Sequence, residues 1–153
     1  MIVSKVETNP PDFSDFAALH ALLSTSFADM EGRIDPPSSM ARLTPDALEV
    51  KLRAEDLFLI REGDLLTGCL FGTLTPEAYY IGKLAVAAPQ RGQGLARALV
   101  EAAASRAPAL ELQSRVELLE NHAAFVAMGF TQVAATAHPG FDRPTSLTFR
   151  RAL

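Results

Sequence analysis

The stretch Tyr79-Tyr80-Ile81-Gly82-Lys83-Leu84-Ala85-Val86-Ala87-Ala88-Pro89-Gln90-Arg91-Gly92-Gln93-Gly94-Leu95-Ala96, running on to Arg106, decides the fold. It reads as an apolar strand carrying Ile81, Leu84 and Val86, a turn at Ala88-Pro89, a glycine-rich segment, and an alanine-rich helix that Pro108 stops. A strand, a glycine turn and a helix start together suit a phosphate group. Glycine lets the backbone approach the ligand, several N–H groups point one way, and the helix dipole adds partial positive charge. Arg91, Arg97 and Arg106 make this region cationic on a chain whose net charge is −4.

Around this centre the chain falls into short elements. Ile2 to Val6 alternates and predicts a first strand, ended by Pro10-Pro11. Asp12 is the expected N-cap of a helix over roughly residues 13–29, with Phe16, Leu19, Leu23 and Phe27 on its buried face. Gly32 and Pro36-Pro37 predict a stiff charged loop from Met30 to Ser39. Thr44 followed by Pro45 starts a second helix. Leu57–Ile60 and Leu65–Leu74 form a hairpin around Glu62-Gly63-Asp64. The helix after the glycine turn buries Leu95, Leu99, Ala102 and Ala103. After it come a strand over Leu110–Leu118, a short helix from an Asn121 cap through Met128 with Gly129 as its stop, and strands at Phe130–Ala135 and Ser146–Arg150.

The predicted order is β-α-α-β-β-β-α-β-α-β-β. It is an α/β (α+β) fold with a mixed central sheet of about six to seven strands flanked by about four helices, and it is no repeating dinucleotide array. The dinucleotide fingerprint fails because the turn arrives after four strands with no ribose-binding acid following. The triphosphate loop fails because no Gly-Lys-Ser/Thr appears.

Composition sets the remaining bounds. At 153 residues, 48% hydrophobic and 21% charged, the chain reads as one domain, residues 1–153, with a real core. Its acidic balance argues against nucleic-acid binding. Its apolar runs are too short to span a membrane, and its first residues do not resemble a signal peptide. Cys69, the only cysteine, fits a reducing, cytoplasmic setting.

Arg91-Gly92-Gln93-Gly94-Leu95-Ala96 resembles the Arg/Gln-x-x-Gly-x-Gly/Ala pyrophosphate motif of the GNAT superfamily of acyl-CoA-dependent N-acyltransferases. Leu84-Ala85-Val86-x-x-Pro89 resembles that family's central strand, Asn121 to Gly129-Phe130 its second cofactor motif, and the element order its fold. The resemblance implies an acetyltransferase moving acetyl from acetyl-CoA to a primary amine of a small molecule or peptide, without a metal. Backbone N–H groups from Arg91 through Gly92, Gln93, Gly94 and Leu95 to Ala96 would hold the pyrophosphate. Leu84, Ala85 and Val86 would pair with the pantetheine arm, with an oxyanion donor near Val86. Asn121 would contact the cofactor by its amide or cap its helix. A homodimer is common among such proteins.

The sequence departs from the family at its proton carriers. The tyrosine of the last helix is replaced by Phe125, and the carboxylate of the central strand falls near Tyr80. Tyr80, Glu117, His122 and His138 are the alternative candidates, with ordered water as a further route. Tyr79 and Tyr80 face opposite ways, one into the core and one to the cleft. The family's acceptor loops correspond to residues 31–35 and 138–143, offering Glu31, Asp35 or Asp142 to a cationic amine and Arg33 or Arg143 to a carboxylate. Surface ion pairing is the alternative role for each. Two other functions fit the same motifs: a CoA-binding sensor without catalysis, and an enzyme acting on a protein N-terminus or lysine.

Overall fold

A computed structural model describes residues 5–152. Its sheet has seven strands in the order β1-β2-β3-β4-β5-β7-β6. These are β1 (Glu7–Thr8), β2 (Asp56–Glu62), β3 (Leu65–Leu74), β4 (Tyr79–Val86), β5 (Ala109–Arg115), β6 (Thr131–Thr136) and β7 (Ser146–Ala152). Helices α1 (Phe16–Phe27), α2 (Pro45–Lys51), α3 (Leu95–Ala104) and α4 (Leu119–Ala127) complete the predicted order. Every neighbouring pair is antiparallel except β4 and β5. That one parallel contact is where the strand-helix-strand unit crosses over through α3.

Alternation along β2 and β3 feeds two cores, one on each face of the sheet. Phe58, Ile60 and Leu70 join Leu95, Leu99, Val100 and Ala103 beneath α3. Leu57, Leu59, Cys69 and Phe71 join Leu19, Leu23 and Leu48 beneath α1 and α2. Gly68 lets α3 sit close, since a Cβ there would lie 3.2 Å from Leu99 Cδ1. Gly72 makes room for Tyr79, whose ring would come within 2.2 Å of an added Cβ. Tyr79 is fully buried, and its hydroxyl donates to Asp56 at 2.7 Å.

Several boundaries differ from expectation. Residues 2–4 of the predicted first strand lie outside the described residues, among which β1 is Glu7–Thr8. Asp12 sits in a turn at φ 60°, so it caps nothing. The N-cap of α1 is Asp15, which accepts from the Ala18 N–H at 3.1 Å. The loop from Met30 is followed by a 3-10 turn at Ser39–Arg42, capped by Ser38, which helical periodicity could not show in four residues. Strand β5 ends at Arg115 rather than Leu118, because the chain turns there, with the Leu118 N–H donating to the Arg115 carbonyl. In α3 the fourth fully buried position is Val100, while Ala102 is half-buried. The N-cap of α4 is Leu118, so Asn121 lies inside the first turn and is no cap.

Candidate active site

Strands β4 and β5 pair only at Tyr79–Leu110, Tyr80–Glu111 and Ile81–Leu112. Beyond these three positions they part. A bulge at Gly82 starts the separation, since Phe71 pairs with Lys83 and Gly72 with Ile81, leaving Gly82 without a partner on β3. From Lys83 to Val86, β4 is paired to β3 alone, so its other edge is open to an extended ligand.

The open edge leads to the glycine turn. Gly92 and Gly94 adopt φ 81° and 82°, the left-handed region that side chains disfavour, and a Cβ on either would meet nothing within 4 Å. Gly94 is the N-cap of α3, so the first N–H groups of that helix face a hollow of about 300 Å³ between the turn and α4. Such a cradle fits a pyrophosphate. Arg91 reaches back toward α1 and β4, pairing with Asp29 at 3.2 Å and donating to the Val86 carbonyl at 3.3 Å. Arg97 donates to the Ala127 carbonyl at 3.1 Å and so ties α3 to α4. Arg106 lies elsewhere, over the Phe58 ring.

A second hollow of about 460 Å³ shares Val86, Arg91 and Ala96 with the first and continues along Leu84 and Ala85 to Asn121 and Phe125. It opens in turn into a cavity of about 320 Å³ between the parted strands, with Leu84, Asn121 and Phe125 common to both. The three form one continuous groove. Its geometry suits a long ligand with a phosphate at one end and a reacting group between β4 and β5. Among the described residues there is no group of three His, Cys, Asp or Glu placed to hold a metal ion, and no helix is long and apolar enough to cross a membrane.

Of the candidate proton carriers, His138 alone lines the cavity between the strands. Its backbone N–H donates to Thr145 Oγ1 at 2.8 Å, and its Nδ1 hydrogen-bonds the same hydroxyl. Tyr80 is half-buried beside Glu111 and lines none of these hollows. Burial first, and the Glu111 charge second, push its phenol up. Glu117 holds the loop after α1, accepting from the Asp35 N–H at 3.2 Å, while its other carboxylate oxygen is buried without a partner. His122 is turned inward rather than exposed, donating to the Arg115 carbonyl at 2.8 Å and packing on Phe149. Phe125 packs against Phe130 and Phe149 with its ring at the groove.

The charged loops mostly pair with one another. Arg143 meets Asp35 at 3.3 Å, joining the two loops, and Arg33 meets Glu120 at 2.6 Å. Asp35, Asp142 and Arg143 line none of the three hollows of the groove; Arg33 lines the middle one, and Glu31 lines an adjoining, mainly apolar pocket.

Sequence reasoning passed over Lys83, Ser114 and Arg115, which all line the cavity between the strands. Arg115 donates to the carbonyls of Pro36 and Pro37 and so fixes the mouth. Ser114 is 7% exposed and its hydroxyl has no partner. Burial, followed by the charge of Lys51, pulls the Lys83 ammonium below its ordinary value. The one signal for Lys83 was a cation inside an apolar strand.

The profile of the acetyltransferase (GNAT) family matches residues 16–130, and the chain belongs to that family. An acetyltransferase from Thermus thermophilus superposes with a TM-score of 0.75 over 100% of both chains at 22% identity. The PaiA N-acetyltransferase of Thermoplasma acidophilum, solved in complex with coenzyme A, gives 0.76 over 97% of this chain and 99% of its own at 9% identity. The ribosomal-protein-S18-alanine N-acetyltransferase of Escherichia coli gives 0.70 over 98% and 94% at 14% identity. At these identities the likeness is one of fold. Comparison with curated protein sequences finds no match.

Proposed function

We propose that the chain is a single-domain, cytoplasmic N-acetyltransferase that moves acetyl from acetyl-CoA to a primary amine of a small molecule or peptide. The observation that carries this reading is the continuous groove from the Gly92–Gly94 cradle, along the open edge of β4, into the cavity between β4 and β5. Acetyl-CoA supplies an activated thioester carbonyl. N–H groups from Arg91 to Ala96 hold its pyrophosphate, and the edge of Leu84, Ala85 and Val86 aligns its extended arm as an added strand would. Asn121, freed from capping, offers its amide to the same arm. A backbone N–H near Val86 stabilises the charge that develops on the carbonyl oxygen. His138, held through Nδ1, takes the proton of the attacking amine. Phe125 carries no proton, so the departing thiolate is protonated from solvent. Tyr80 and Glu117 position their strands and loop in this reading.

The test is thiol release from acetyl-CoA across a panel of amines and short peptides, beside calorimetry with CoA. Turnover with at least one amine, and a loss of about a hundredfold in kcat/KM in His138→Gln, support the assignment. Unchanged kcat/KM in that variant removes His138 from the mechanism. Phe125 favours one other reading, a CoA-binding module without turnover. CoA binding with no thiol release from any amine would select it.

A further inference from the structure

The cavity between β4 and β5 is charged in one sense. Lys83 projects from β4 and Arg115 from β5, His138 lies beside them, and no Asp or Glu is among the lining residues. Arg115 directs its donors to the Pro36 and Pro37 carbonyls but keeps its charge there. Lys83 is different. It is half-buried, and among the described residues no carboxylate lies within ion-pair distance of it. The nearest acid to influence it, Glu55, is itself paired with Lys51 at 2.6 Å. A half-buried cation without a partner is costly, and an anion that arrives with the ligand removes that cost.

A second hollow adjoins this one. It has a volume of about 520 Å³ and shares Phe27, Met30, Ser38 and Met40 with the cavity. Ile34, Pro37 and Leu43 continue its wall, which is mainly apolar although His20 and Glu31 also lie on it. A polar cavity holding one unpaired cation beside a mainly apolar pocket is a pair of subsites for one molecule with an acidic and a greasy end.

Resting on the acetyltransferase reading above, we propose that the acceptor is an apolar amino acid or close amino-carboxylate analogue. Its carboxylate is held by Lys83, and its side chain enters the pocket walled by Phe27, Met30 and Met40. This assignment replaces the loop residues Arg33 and Arg143 as carboxylate anchors, since both are paired to acids of their own chain. Lys83 is then a specificity-determining residue, and it takes no part in the chemistry.

The experiment is calorimetry on the CoA-saturated protein with N-acetyl-leucine, N-acetyl-leucinamide and N-acetylglycine as probes, repeated in Lys83→Gln and Lys83→Arg. Melting curves report that each variant is folded. N-acetyl-leucine is expected to bind at least tenfold more tightly than either other probe. Lys83→Gln should erase the preference for the acid over the amide, and Lys83→Arg should keep part of it. Equal binding of acid and amide, a preference that survives in Lys83→Gln, or no binding of N-acetyl-leucine would overturn the carboxylate site. Equal binding of the glycine and leucine probes would overturn the apolar pocket. These readouts need no turnover. A protein that binds the acid selectively but releases no thiol with leucine or any other amine would therefore refute the catalytic reading while leaving the site in place.

Discussion

Two substitutions at Gly94 separate backbone strain from ligand binding. The residue sits at φ 82°, and a Cβ there meets no atom within 4 Å. Alanine therefore costs only its left-handed conformation, about 1–2 kcal/mol. At ~2–4 °C per kcal/mol for a chain of this size, the melting temperature should fall by roughly 2–8 °C. Aspartate tolerates the left-handed region better, so Gly94→Asp should melt closer to the native protein. It also puts a carboxylate where the pyrophosphate would lie. Like charges about 4 Å apart repel by about 1 kcal/mol in water and about 4 kcal/mol near a protein surface. An intermediate value of about 2–3 kcal/mol, at roughly 1.4 kcal/mol per tenfold, weakens CoA by roughly 30- to 150-fold. Isothermal calorimetry at two salt concentrations is the assay, since a repulsive origin predicts a smaller loss at high salt. The ranking matters as much as the size: alanine should be the less stable protein and aspartate the poorer binder. A folded Gly94→Asp protein that binds CoA within about threefold of the native one would refute the cradle.

Further predictions concern the scaffold. Tyr79→Phe deletes the donor to Asp56, a hydrogen bond to a charged group worth about 1.5–3 kcal/mol, and denaturant unfolding should show a loss of that order. Gly72→Ala drives a methyl into the same buried ring and should destabilise by about 1–3 kcal/mol, with little further loss when combined with Tyr79→Ala. Alkaline stability provides a check on burial. The Cys69 thiol is pushed up to about 12 by burial, and the Tyr79 phenol is raised by burial and then by Asp56. Raised pKa values favour the protonated form in the folded state, so their stability is fully present below the unfolded values, about 8.5 and 10, and declines as pH rises through the folded ones. Denaturant midpoints should fall from about pH 8.5 upward, and Cys69→Ala should flatten the first part of that fall; an unchanged slope would count against the buried thiol. The Asp35–Arg143 pair is exposed on both sides, so a double-mutant cycle on stability should give no more than about 1 kcal/mol, vanishing in high salt.

What the sequence disclosed follows from which atoms make the contacts. The candidate phosphate cradle is made of backbone, and backbone conformation is written in glycine: Gly92 and Gly94 stand at left-handed positions that other residues avoid. The element order was legible for a similar reason, since proline, glycine and alternating apolar residues mark local structure. Caps were less legible. Asp12 and Asp15 are both acceptable N-caps, and only the turn at Pro10–Asp12 decides between them. Asn121 has the chemistry of a cap, yet the hydrogen bond from its N–H to the Leu118 carbonyl places it inside the helix.

The acceptor side depends on an event that no local pattern encodes. The bulge at Gly82 shifts the remainder of β4 by one residue, which moves Lys83 and Leu84 to faces opposite to those expected from strict alternation after Ile81. The same bulge begins the parting of β4 from β5, and the parting opens the cavity that Lys83 and Arg115 both line. Two cations remote in the chain thus share one cavity because a strand pair ends early. The charged loops attracted attention in the sequence because their composition is unusual, but their charges mostly cancel in pairs, Asp35 with Arg143 and Arg33 with Glu120. A cation left without an ion pair among the described residues, Lys83, lines the cavity between the strands instead. On the function proposed above, donor recognition rests on backbone and acceptor recognition on side chains, so Lys83→Gln should alter acceptor preference while CoA affinity, read by calorimetry, stays unchanged.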